Sequence, residues 1–104
     1  MKVSEILADA RGVVEQGWHQ GWSTDGQGNY CALGALSVAE TRALEAGVQP
    51  GTLPIYPHDA LREKLGEFGD YKNISHFNDD PATTRQDVLN LFDKAILSLQ
   101  ERGL

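Results

Sequence analysis

Apolar positions recur along this chain at two spacings, and each spacing predicts a different kind of element. Over residues 4–16, Ile6, Leu7, Ala10, Val13 and Val14 fall at helical intervals and make one stripe. Ser4 is placed to cap that helix, and Gly17 to end it in a left-handed turn. Residues 18–22 change period. Trp18, Gln20 and Trp22 alternate with His19 and Gly21, which reads as a short strand. "TDGQG" follows as a turn, and the chain near Tyr30 is expected to pair back, giving one short β-hairpin near residues 18–31. Two strands alone are marginal, so the hairpin must lean on helices.

Helical spacing returns over residues 31–46. Ala32, Ala35, Ala39 and Ala43 form a stripe of small residues, which lets a neighbouring helix approach closely. This segment is expected to be the central helix, closed by Gly47. Three prolines in "VQPGTLPIYP" then enforce a loop. A third helix is predicted over residues 57–68, with Pro57 in its first turn and Ala60, Leu61, Leu65 and Phe68 facing inward. Tyr71, Ile74 and Phe77 suggest a short helical turn, and Pro81 forces Asp80 out of helical geometry. The last helix starts at a capping box of Thr83 and Gln86, carries Val88, Leu89, Phe92, Ala95, Ile96 and Leu99 inward, and ends at Gly103. The predicted class is mainly α (α+β), with about four or five helices around the small-residue helix and one hairpin. At 104 residues the chain is expected to be a single domain, 1–104.

Charge narrows the function classes. The formal net charge of −6 argues against binding a phosphate backbone and suits a basic or neutral partner surface. The acids are spread along the chain, as on an ordinary solvated surface. The first residues lack the pattern of a secretory signal, and no apolar run is long enough to span a membrane, so a cytoplasmic setting without membrane contact is expected. A single cysteine permits neither an intrachain disulfide nor a cysteine-cluster metal site. The three histidines have no ligand spacing to one another. Neither metal nor cofactor is expected.

Chemistry gathers around Cys31, which opens the small-residue helix. A thiol at a helix N-terminus meets unpaired N–H groups that stabilise thiolate. With His76, or alternatively His19, as base and Asn78 or Asp79 as the orienting group, it would make a cysteine hydrolase or transferase, with Gln20 donating to an oxyanion. Against this, a lone cysteine flanked by alanines is most often a small buried apolar residue. Trp18 and Trp22 read more simply as core and hairpin packing. Asn78 and Asp79 read more simply as satisfying backbone groups in the turn before the last helix.

The combination "GWHQG", "YCALGAL" and "FNDDPATTRQDVLNLFDKAI" resembles a family of small actinobacterial and bacteriophage proteins of unknown function. Its pattern is a Gly-Trp-x-Gln-Gly element, a Cys-x-Leu-Gly-Ala-Leu helix start, and an aromatic-Asn-Asp-x-Pro stretch before a terminal helix. The matching residues here are Trp18, Gln20, Cys31, Gly34, Ala35, Asn78 and Asp79. The resemblance implies that Gln20, Cys31, Asn78 and Asp79 share one spatial cluster, and it favours a phage-type accessory protein. His76 lies outside the family pattern, which counts against a catalytic base there.

The expected function is therefore binding rather than catalysis. A host or bacterial protein, or a small ligand, is engaged near Trp18, Gln20, Tyr30, Asn78 and Asp79. Inhibition of a bacterial defence component is one concrete form. The cysteine enzyme using Cys31 with His76 is one alternative. A small-molecule sequestering module, with Trp18, Tyr30 and Asn78 lining a pocket, is another.

Overall fold

A computed structural model describes all residues, 1–104. Five helices are present: α1 (Val3–Gln16), α2 (Ala32–Glu45), α3 (Pro57–Arg62), α4 (Ile74–Asp79) and α5 (Arg85–Glu101). The predicted apolar stripes are the buried faces. Ile6, Leu7, Ala10 and Val14 of α1 join Ala32, Ala35, Leu36 and Ala39 of α2, and Val88, Leu91, Phe92 and Leu99 of α5, in a single core. The central position belongs to α1, not to the small-residue helix, because α1 packs extensively on both α2 and α5. The alanine stripe of α2 does face inward and is fully buried. It serves as the close-packing partner of α1 rather than the hub.

Helix ends differ from the sequence reading in instructive ways. Ser4 lies inside α1 and is buried. Lys2 takes the cap position instead, and its N–H donates to Glu5 Oε1 at 2.7 Å. Gly17 is extended rather than left-handed. The cap of α5 sits one residue later than predicted: Thr84 accepts from the Asp87 N–H, and Asp87 accepts from the Thr84 N–H at 2.8 Å. Thr83 is buried beside it. The third helix stops at Arg62, and a 3₁₀ turn over Leu65–Glu67 carries the chain on. Surface ion pairs cross the helices, Arg11 to Asp93 and Arg42 to Asp9 among them, and such exposed pairs contribute little each.

The β-hairpin is absent. Between α1 and α2 the chain forms a closed loop with two isolated bridges, Trp18 to Tyr30 in parallel sense and Thr24 to Tyr30 in antiparallel sense. A hairpin would place residues 18 and 30 antiparallel. Here the Tyr30 N–H donates to Gly17 O at 3.0 Å and the His19 N–H donates to Tyr30 O at 3.3 Å, so the loop closes on itself at its neck. The physical reason lies further along the chain. The His19 carbonyl and the Gly21 N–H, which a second strand would pair, are bonded instead by the side chains of Asn78 and Asp79 in α4. Elsewhere, no helix is long and apolar enough to cross a membrane.

Candidate functional site

The site is built on Asn78, the one buried side-chain amide of the protein, at 1% exposure. A buried amide must find partners for both ends of its head group. Asn78 does so across the fold. Its Oδ1 accepts from Trp18 Nε1–H at 2.7 Å and from the Ala32 N–H at 3.0 Å. Its Nδ2 donates to His19 O at 3.3 Å and to Asp79 Oδ1 at 3.0 Å. One side chain thus ties together the loop, the first turn of α2, and its own helix α4.

Two neighbours extend this anchorage. Gln20 Nε2 donates to Asn78 O at 3.1 Å and to Asp80 O at 2.8 Å, which satisfies carbonyls at the end of α4. Asp79 Oδ1 accepts from the Gly21 N–H at 2.9 Å. Gly21 has φ +99°, a conformation open to glycine and strained for other residues. Further round the loop, Asp25 accepts from the side chain of Asn29 and from the Gln27 N–H, and these bonds, in that order, hold its carboxyl below the usual range. The structure therefore brings Trp18, Gln20, Asn78 and Asp79 into one network. Tyr30 stands at the loop neck, half-buried against the core.

Gly34 shows how tightly the loop is seated. A Cβ added there would collide with the backbone carbonyl of Ser23. The glycine of the "CALGAL" stretch is needed because the loop backbone lies directly on the first turn of α2. The Cys31 N–H donates to Ser23 O at 3.1 Å at the same point.

Cys31 itself is the N-cap of α2. Its Sγ accepts from the Gly34 N–H at 3.3 Å, and the residue is buried. His76 is engaged elsewhere: Nδ1 accepts from the Lys72 N–H at 3.2 Å, and the ring meets Tyr71 edge-on at 5.2 Å between centroids. No hydrogen bond joins Cys31 to His76 or His19. The Cys31 side chain makes no hydrogen bond to the Asn78 network, whose bond to α2 is the Ala32 N–H on the next residue.

Trp22 departs most from the sequence reading, which packed it in a hairpin. Its side chain is 82% exposed. Sequence reasoning also passed over Gly34 as a contact point, although a glycine among helix-favouring alanines is a signal that something approaches closely.

No grouping of histidine, cysteine and acidic side chains suited to a metal ion is present. No curated protein and no solved structure matches the chain. The model of a family of unknown function (DUF6197) matches residues 1–97, which take in the whole Asn78 network, and the chain belongs to that family.

Proposed function

We propose that this chain is a non-enzymatic protein-binding module whose contact surface is the loop of residues 18–30, centred on Trp22. One observation carries the reading. Trp22 is exposed, yet the residues on either side of it are anchored: the Gly21 N–H on Asp79, and Ser23 O on the Cys31 N–H. An exposed tryptophan on a floating loop loses conformational freedom when it binds, whereas one on a pinned backbone loses little. Rigid aromatic anchors of this kind are frequent centres of binding energy. The partner is a protein with a neutral or basic face, given the charge of −6. The resemblance to phage and actinobacterial proteins supports a cytoplasmic accessory role, with inhibition of a bacterial defence protein as a concrete form.

The other readings have less support. Asn78 makes four hydrogen bonds inside the protein, which leaves its head group little to offer a small ligand. A buried thiol bonded as a helix cap has no access to substrate.

The test uses immobilised chain and a bacterial lysate. A discrete protein should be retained by the wild type, lost with Trp22→Ala, and retained by Leu97→Ala, which alters a separate exposed residue. Equal retention by the wild type and Trp22→Ala contradicts the proposal.

A further inference from the structure

A second surface lies on the C-terminal half of α2, eight residues beyond Ala32 and therefore about 12 Å along the helix from the loop. There Glu40, Leu44, Pro50, Leu53 and Tyr56 line a small cavity of about 60 Å³. Leu44 and Tyr56 are 53% and 55% exposed, so the rim is apolar and open. Glu40 is half-buried in the wall and makes no hydrogen bond or ion pair. Burial pushes its carboxyl up, and nearby His58 pulls it part of the way back. His58 has its own close neighbour in Asp59, at 3.7 Å.

We propose that this cavity seats an arginine side chain of a partner protein, with the guanidinium on Glu40 and the aliphatic stem along Leu44 and Leu53. Charge complementarity is the first argument. A carboxylate partly withdrawn from water and left unpaired attracts a cation more strongly than an exposed one does. Size is the second. Pockets for free small molecules run to about 300–1,000 Å³, and this one holds only the end of a single side chain. The third is Tyr56, an aromatic residue 55% exposed at the rim; a planar guanidinium stacks on such a ring and a more strongly hydrated ammonium gains less. This surface is independent of the Trp22 loop, so either can fail without the other.

Amide chemical shifts of the intact chain read the result. Acetyl-arginine-amide should give saturable shifts at Glu40, Ala43, Leu44 and Tyr56, and its neutral isostere acetyl-citrulline-amide should not. Glu40→Gln should weaken the arginine response about tenfold or more. Leu44→Ala, at an exposed position, should also weaken it, and Trp22→Ala should leave it unchanged. Equal shifts with citrulline, no shifts up to about 50 mM arginine probe, or an unaltered response in Glu40→Gln would each overturn the proposal.

Discussion

The indole Nε1–H of Trp18 donates to Asn78 Oδ1 at 2.7 Å, joining residues sixty positions apart in the chain. The same oxygen accepts from the Ala32 N–H, one of the unpaired donors at the start of α2. A single acceptor therefore fixes where the loop begins and where the next helix starts. The loop is held by that oxygen together with the backbone bonds at its neck, rather than by a strand ladder.

Asn78→Ala should be among the most destabilising single substitutions in the protein. It strands the buried Ala32 N–H, at about 1–3 kcal/mol for an unsatisfied buried donor, and the partly buried Trp18 indole, at less. The sum is a large share of the roughly 5–15 kcal/mol that holds a domain of this size. Asn78→Asp should also destabilise, because it replaces the Nδ2 donor with an oxygen facing Asp79 Oδ1. Urea unfolding followed by tryptophan fluorescence measures both.

Gly34→Ala should lower stability by about 1–3 kcal/mol through overpacking against Ser23 O. Alanine favours helix, so propensity alone predicts a gain. The sign of the measured change decides between the two effects. A red shift of tryptophan emission, from the partly buried Trp18 rather than the already exposed Trp22, should accompany the loss as the loop is pushed outward.

Cys31 should resist alkylation in the native protein and react on unfolding, because its Sγ is buried and bonded as a cap. Cys31→Ser should fold, since serine is a favoured N-cap residue, while Cys31→Ala should cost about 1 kcal/mol. Mass spectrometry of iodoacetamide adducts along a urea gradient gives the first result, and thermal unfolding the second.

Acid should loosen the end of α4. Asp80 accepts from the Ala82 N–H at 2.9 Å and from the Tyr71 hydroxyl at 2.7 Å, and these bonds, in that order, hold its carboxyl below the usual range. A depressed carboxyl contributes stability that is present above the unfolded value, about 3.9, and is lost as pH falls through the folded one. Tyr71→Phe should therefore lower the melting temperature at pH 7. The difference from wild type should shrink as pH falls to values where Asp80 is protonated in both, because only the charge-dependent part of the bond is lost. Because Asp80 O holds Gln20, the loop should loosen over the same acid range.

Most of the helical frame was legible in the sequence, and the loop was not. The stripes of α1, α2 and α5 follow from apolar spacing alone, and Pro81 correctly marked the end of α4, where Asp80 is extended. Cap positions moved by a residue or two because Lys2 and Thr84, rather than Ser4 and Thr83, meet the helix start. The hairpin reading failed because Trp18, Gln20 and Trp22 alternate for a reason other than pleating. Trp18 and Gln20 turn toward α4, and Trp22 turns to solvent. Local pattern gives Asn78 only a role in the turn before α5, whereas the family resemblance groups it with Gln20, Cys31 and Asp79, and Gln20 and Asp79 do join its network. Its partners lie on Trp18, His19 and Ala32, long-range contacts that no local pattern encodes. Glu40 left no signal at all, because an acid on a helix reads as a solvated face until the loop after α2 is seen to fold over it.

The most direct measurement compares the two indole N–H groups by hydrogen exchange in one ¹⁵N-labelled sample. Locking of the loop by Asn78 predicts slow exchange of the Trp18 indole, together with the Ala32 and Gly21 amides, and fast exchange of the Trp22 indole. If Trp18 exchanges as fast as Trp22, the loop is not held by Asn78; if the Gly21 amide is equally fast, the backbone beside Trp22 is not pinned and a preorganised surface there does not exist.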